Sequence, residues 1–225
     1  MSLRMTPDAI SQILLILWMT ALGCLLIRLL VLRLHHTYLL FTVSCGLDLA
    51  FGIATLQYGI ASPASASLGL LGDTMDVFLT PSVAAELFGP PGAFEAYPAR
   101  QVTPLILTLL AGIGIELFLA TSPDQESFQS ASVLAFIADT IVTLFVISYI
   151  VRKIRQHEAA VERNSLWLRR LFAVELVAGA IRSLIGPFVA PQVGLLDVLF
   201  FSVCLVATAV CTFALRKPPP APASL

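Results

Sequence analysis

Long apolar stretches separated by short polar breaks fill nearly the whole chain. A helix that crosses a bilayer needs roughly 20 mainly apolar residues. The pattern predicts seven helices, over residues 7–34, 37–60, 66–88, 102–120, 130–151, 166–188 and 193–215. Proline and glycine in the breaks favour turns, because they suit neither the helix interior nor its hydrogen bonding. We expect the Pro-rich tail, residues 218–225, to be disordered.

Composition identifies the solvent of these helices. The chain has 225 residues, of which 58% are hydrophobic and only 12% are charged. A soluble domain carries about 25% charged residues. The excess apolar surface cannot all be buried in a water-soluble core of this size, so lipid must solvate it. We therefore predict an all-α polytopic transmembrane helix bundle that forms a single domain over residues 1–217, with the lipid bilayer as its first partner.

The third stretch is the ambiguous one, because it contains Asp73 and Asp76. An aspartate at mid-membrane costs a few kcal/mol, about 3 on insertion scales. Residues 68–88 could therefore be interfacial, which leaves six spans. Cytoplasmic loops carry most Lys and Arg. With seven spans the N-terminus lies outside and the C-terminus in the cytoplasm, and Arg4 is the only basic residue outside. With six spans the N-terminus lies inside, so Arg4 is inside and Arg33 is outside. The short loop at Arg33 favours seven spans, and the two aspartates favour six.

Ionisable side chains inside spans should face the bundle interior and find partners there. Near the middle of their helices lie Asp48, Asp139 and Glu175, and toward the outer half lie Asp73, Asp76, Glu116, Asp197 and Arg182. Glu175 and Arg182 share one face of the sixth helix. Because two turns rise about 10 Å, each should pair with another helix. Asp139 and Asp197 are the expected candidates for Arg182.

These residues suggest a polar chamber in the outer half, with Arg182 as its only fixed positive charge. Asp48, Asp139, Glu175, Arg182, Asp197 and Glu116 are the candidate residues for a ligand or an ion. Intramembrane carboxylates serve proton relays and transport sites. The alternative is that they hold helices together by polar contacts. A row of small residues on the second helix, Gly46, Ala50 and Ala54, suits close helix packing or reflects ordinary composition.

The connector at residues 152–170 carries six basic residues against Glu158 and Glu162. Such a segment on the cytoplasmic side can contact anionic lipid headgroups or a protein partner. The residues expected to make these contacts are Arg152, Lys153, Arg155, Arg169 and Arg170.

Several functional classes lack their sequence signals here. There is no P-loop, GxSxG, HExxH or CxxC motif, so we predict no catalytic residue, no metal site and no cofactor. A net charge of −1 and the lack of a long basic run argue against nucleic acid. A sensor-like or partner-regulating subunit without catalytic activity is the first hypothesis. The second is a small secondary transporter or proton-coupled permease that uses the intramembrane carboxylates, and a membrane enzyme ranks third.

Short features scattered along the chain resemble a family of bacterial seven-helix membrane proteins with no established activity. These features are Arg33, Tyr38 and Phe41 after the first helix, Glu86-Leu87-Phe88, Tyr97-Pro98-Ala99, Ser122-Pro123, a basic loop before the sixth helix, and Arg216-Lys217-Pro218. The resemblance covers most of the chain, although the third helix is more acidic and less aromatic than the family pattern. It implies seven spans in the bacterial inner (plasma) membrane.

Overall fold

A computed structural model describes residues 7–59, 62–89, 99–121, 123–156, 163–185 and 193–217. Within these ranges the chain forms seven α-helices and one short 3-10 helix, and no strand. The helices are α1 (Pro7–Val31), α2 (Leu39–Tyr58), α3 (Pro63–Phe88), α4 (Ala99–Ala120), α5 (Gln125–Gln156), α6 (Arg163–Ile185) and α7 (Val193–Ala214). The predicted all-α fold is confirmed. Outside the described ranges lie the tail at 218–225, Arg4, Tyr97, Pro98, Ser122, Glu158, Glu162 and residues 186–188.

Five of the helices are long and apolar enough to cross a membrane. They comprise Ile10–Val31, Leu39–Tyr58, Val102–Ala120, Gln125–Arg155 and Leu195–Ala214. Large apolar side chains cover their outer surfaces, and Phe213, for example, is 86% exposed. Soluble monomers rarely expose apolar patches larger than a few hundred Å². The chain is therefore a membrane protein, as its composition predicts.

The link between α1 and α2 begins earlier than the apolar pattern predicts. Helix α1 ends at Val31 rather than at residue 34, and a single 3-10 turn, Leu34–His36, follows. Arg33 before this turn has φ 57°, in the left-handed region that ends a helix. Leu32 and Leu34 extend the apolar stretch beyond Val31, so hydropathy alone could not locate the end of α1.

Helix α5 is longer than predicted at both ends. It begins at Gln125, because the Asp124 carboxylate caps its first turn by accepting the Ser127 N–H at 2.8 Å. Hydrogen bonds from the side chain and the backbone of Ser127 hold the pKa of Asp124 below its usual value. The helix continues to Gln156, so the first basic residues of the predicted connector are helical. Helix α6 begins at Arg163 and carries the last of them.

The helix that carries two aspartates near its middle occupies the centre of the bundle. Helix α3 is one continuous helix of 26 residues, about 39 Å long at 1.5 Å per residue. It packs against α2, α4 and α5 and more lightly against α6. Its aspartates therefore face neighbouring helices, which is the shielding that a spanning α3 requires.

The two ends of the bundle differ in charge. Arg28 near the end of α1 reaches the Leu215 carbonyl after α7, and Glu86 near the end of α3 reaches Leu40 at the start of α2. The ends of α1, α3 and α7 thus lie together with the starts of α2 and α6. We call this the basic end, since it carries Arg28, Arg33, Lys153, Arg169, Arg170, Arg216 and Lys217. The opposite end is called the open end.

The buried core lies in the half of the bundle near the basic end. It comprises the later turns of α1, α3, α5 and α7 and the earlier turns of α2 and α6. Leu25, Leu40, Val83 and Leu168 are fully buried in it. Toward the open end the helices enclose cavities instead. The fold is therefore closed in one half and hollow in the other.

Candidate functional site

A cavity of about 860 Å³ opens between α1, α2, α3, α6 and α7 toward the open end. We call it the vestibule. Ser11, Gln12, Gly59 and Ser65 line it near the helix ends at the open end, and Asp48 lies deeper, near mid-helix. The vestibule lies in the outer half of the bundle if the open end faces outward, where the sequence pattern places a polar chamber.

Three carboxylates line the vestibule without a hydrogen-bond donor from the described part of the chain. Asp48 comes from α2, and Asp73 and Asp76 come from α3. None of the three accepts a hydrogen bond from any residue that the structure describes. A carboxylate in a low-dielectric site is costly unless a cation, a proton or water compensates it. The geometry therefore leaves these acids available to something other than the protein.

Aromatic rings form one wall of the same cavity. Trp18 of α1 packs against Phe200 and Phe201 of α7, with ring centroids 6.2 and 5.8 Å apart, and Phe51 of α2 also lines the vestibule. The face of an aromatic ring attracts cations that come within about 6 Å of its centre. Acids and ring faces are thus both present in one cavity. The sequence pattern did not predict this wall, since the aromatic residues lie on three separate helices.

The arginine of the vestibule is already paired. Arg182 Nε donates to Asp197 Oδ1 at 2.6 Å, and the guanidinium lies 5.3 Å from the centre of the Phe200 ring. Asp197 is one of the two partners expected for Arg182; Asp139, the other, is not bonded to it. The Arg182 side chain is 47% exposed, so it is less buried than the sequence hypothesis assumed. Among the described lining residues of the vestibule it is the only cation.

A smaller cavity of about 160 Å³ lies between α3, α5 and α6. We call it the side cavity. Asp76, Asp139 and Glu175 line it, and Glu175 also accepts a hydrogen bond from the Thr208 hydroxyl at 3.1 Å. Leu144 on α5 also lines it and is 45% exposed on the apolar surface. Asp76 lines both cavities, so the two polar spaces adjoin at that side chain.

The structure thus brings together five of the six candidate residues around two adjoining cavities. Glu116 is the exception, because it is exposed on α4 and lines neither cavity. The described part of the chain holds no group of three His, Cys, Asp or Glu side chains arranged for a metal ion. Asp73 and Asp76 join the site although the prediction left them out of the candidate list.

Beyond the core, the basic end is tied together by side chains that cap distant helices. The N-cap residue of α2, Tyr38, does not cap the helix with its side chain. The Glu86 carboxylate of α3 acts as the cap instead and accepts the Leu40 and Phe41 N–H groups at 3.0 and 2.9 Å. A negative charge at a helix N-terminus is favourable, because the macrodipole is positive there. This bond brings Glu86 and Phe41 together in the fold although they lie 45 residues apart in the sequence.

Two further bonds fix the end of α7. Arg28 Nη2 donates to the Leu215 carbonyl at 2.6 Å, which places a cation at the negative end of that helix. Asn164 of α6 donates to the Arg216 carbonyl at 2.8 Å and accepts the Arg216 N–H at 3.0 Å. These bonds join the ends of α1, α6 and α7 at the basic end.

Comparison with known proteins gives no relative for this chain: no family model, curated protein or solved structure matches it. The geometry of the two cavities is therefore the ground on which a function can be argued.

Proposed function

We propose that this chain is a seven-span protein of the bacterial inner membrane that binds an organic cation in the vestibule and acts as a non-catalytic, sensor-like subunit. The N-terminus lies outside and the C-terminus in the cytoplasm, because this orientation puts the basic end inside. The enclosed position of α3 supports its span despite its aspartates, and α6 spans beside it. The family resemblance agrees with seven spans.

The observation that carries the proposal is the pairing of unbonded carboxylates with aromatic faces in one cavity. Asp48, Asp73 and Asp76 provide the negative charge. Trp18, Phe51 and Phe201 provide the cation-attracting wall, since Arg182 already lies over the Phe200 ring. Sites for quaternary ammonium groups use such rings. The vestibule, at about 860 Å³, falls within the range of about 300–1,000 Å³ that small-molecule sites occupy.

The charge balance of the vestibule favours a cation over an anion. Its described lining includes four carboxylates against a single arginine, and Asp197 neutralises that arginine. Opposite charges about 4 Å apart attract by about 4 kcal/mol at an effective dielectric of 20. An anionic ligand would meet the same field as a repulsion.

The closed half of the bundle favours sensing over transport. Fully buried leucine and valine side chains fill the space between the vestibule and the basic end, and side-chain caps join the helix ends there. A ligand would enter and leave on one side of the membrane. Its effect would then reach the cytoplasm through a shift of helices and a membrane or cytoplasmic protein partner.

A second candidate is a proton-coupled permease, and one observation favours it. Asp76 separates the vestibule from the side cavity, where Asp139 and Glu175 continue the series of acids. Chains of intramembrane carboxylates of this kind carry protons in pumps and transporters. In this alternative the closed basic end is one of two states.

The tryptophan content allows a direct binding test. The chain has two tryptophans, Trp18 and Trp167, so Trp167→Phe leaves the vestibule residue as the only indole. In lipid nanodiscs, choline should change the Trp18 fluorescence saturably, and its neutral isostere 3,3-dimethylbutanol should not. Adding Asp48→Asn should weaken the choline affinity at least about tenfold, which corresponds to 1.4 kcal/mol.

Glu116→Gln is the matched control for this titration, because it neutralises an exposed acid on α4 and should leave the affinity unchanged. Equal fluorescence responses to choline and its isostere would contradict the proposal. So would equal choline affinities of the Trp167→Phe protein alone, with Asp48→Asn and with Glu116→Gln. Uptake of labelled choline into proteoliposomes distinguishes the alternatives. Uptake that requires a proton gradient and is lost in Asp139→Asn would favour the permease.

A further inference from the structure

A third pocket, of about 300 Å³, lies at the basic end, away from the vestibule. It is a groove between α5 and α6 with Phe88 of α3 at its base. Its apolar walls include Ile154, Leu166 and Ala173, and Ile154 is 62% exposed toward the surroundings of the bundle. We call it the α5–α6 groove.

Three cations border this mainly apolar groove: Lys153, Arg169 and Arg170. Lys153 Nζ lies 5.8 Å from the centre of the Tyr149 ring, and the Arg170 guanidinium lies 5.0 Å from that of Trp167. Contacts of this kind hold long side chains in place before a ligand arrives, which lowers the ordering cost of binding.

Arg169 closes the inner side of the groove. Its Nε donates to the Leu87 carbonyl at the end of α3, and its guanidinium lies 5.4 Å from the centre of the Phe88 ring. No carboxylate lines the groove among the described residues. Glu86 is close in the sequence to Phe88, but its carboxylate accepts hydrogen bonds from N–H groups of α2. Lys153 and Arg170 therefore have no acidic partner in the described structure.

We infer that the α5–α6 groove binds one anionic phospholipid, with its phosphate at Lys153 and Arg170 and an acyl chain along Ile154, Leu166 and Ala173. Charge complementarity selects an anion, and the apolar walls below the cations select an anion that carries a hydrocarbon chain. Basic pockets between helices on the cytoplasmic side suit such headgroups. The inference shares with the proposed function the membrane setting of α5 and α6, and it is independent of cation binding in the vestibule.

Quenching of Trp167 by brominated lipid tests this site. Trp18→Phe leaves Trp167, which lies against Arg170, as the only indole. In nanodiscs of phosphatidylcholine, brominated phosphatidylglycerol should quench Trp167 more strongly than brominated phosphatidylcholine at the same mole fraction. Lys153→Gln with Arg170→Gln should lower this preference by about fivefold for each cation removed.

The matched control is Arg152→Gln with Arg155→Gln, which removes the same charge from exposed residues of α5 outside the groove. The control should keep the preference. If the preference for phosphatidylglycerol fell equally in both double variants, diffuse surface attraction would explain it and the site would be refuted. Equal quenching by the two lipids in the Trp18→Phe protein would also refute the site. If the Lys153 and Arg170 variant does not fold, Ala173→Phe serves instead, since it fills the groove, keeps every charge and should also lower the preference.

A soluble competitor identifies the part of the lipid that is recognised. Free glycerophosphate at millimolar concentration should leave the quenching by phosphatidylglycerol unchanged, because it lacks the acyl chain. Displacement by glycerophosphate would overturn the lipid as the occupant and assign the groove to a soluble phosphate. Failure of the choline titration would leave these results intact, so the two proposals fail separately.

Discussion

Replacing Glu86 with alanine removes the side chain that caps α2 from α3, 45 and 46 residues away from the groups it binds. Leu40 and Phe41 are 0% and 2% exposed, so water has little access to the N–H groups that lose their acceptor. Each buried donor without a partner costs about 1–3 kcal/mol. Local rearrangement will recover part of this cost, and we expect Glu86→Ala to lower the free energy of unfolding by about 2–4 kcal/mol.

Unfolding in mixed micelles of dodecyl maltoside and SDS, followed by circular dichroism, measures this loss. Glu86→Gln should fall between the wild type and alanine, because the amide offers one acceptor oxygen instead of two. Glu116→Ala is the control, as an exposed acid whose removal should change the free energy of unfolding by about 0.5 kcal/mol or less. If Glu86→Ala and Glu116→Ala unfold at the same SDS fraction, then Glu86 does not stabilise α2 as described.

Two further predictions concern the vestibule. A double-mutant cycle with Arg182→Gln and Asp197→Asn should give a coupling of only about 0.2–1 kcal/mol, because Arg182 is 47% exposed; a coupling several times larger in the SDS titration would indicate a buried pair. On α2, Gly52→Ala should destabilise the fold, since its new Cβ would overlap the buried Met19 thioether and force that side chain to move. Gly46→Ala meets nothing within 4 Å and should be neutral or slightly stabilising. Melting temperatures of the two glycine variants in detergent would test this order, and equal shifts would contradict it.

Hydropathy and helix-stop residues predicted the helices well, because both signals are local. Every predicted stretch corresponds to one helix, and most ends agree within a few residues. The largest errors are at α5, where residues 125–129, which are mainly polar, and the basic residues after Val151 are still helical. A polar turn at a helix end is compatible with the headgroup region, so hydropathy alone does not mark where the helix stops.

The candidate site was predictable in part. The cost of a charge in lipid directs Asp48, Asp139 and Glu175 inward whatever the helix arrangement, and the fold places them around the cavities as that reasoning implies. Glu116 shows where the reasoning stops, because an acid near a helix end can reach the headgroup region and needs no inward partner. The small-residue row beginning at Gly46 was compatible with close helix packing or with ordinary composition, and a Cβ added at Gly46 would meet nothing within 4 Å.

Contacts between distant residues could not be predicted from local patterns. The cap that Glu86 provides joins α3 to α2, and the aromatic wall needs α1, α2 and α7 to converge. A single sequence carries no signal that selects these pairings over others.

The central position of α3 has a consequence for biogenesis. Each aspartate at the middle of a segment adds about 2.5–3.5 kcal/mol to the cost of leaving the translocon for lipid, and α3 carries Asp73 and Asp76 near its middle. Emerging alone, this segment would be retained or slip to the surface. In the seven-span arrangement proposed above, it must wait at the lateral gate until α2, which is synthesised before it, or α4, which is synthesised after it, provides a protein face. Insertion and the first step of tertiary assembly then become one event.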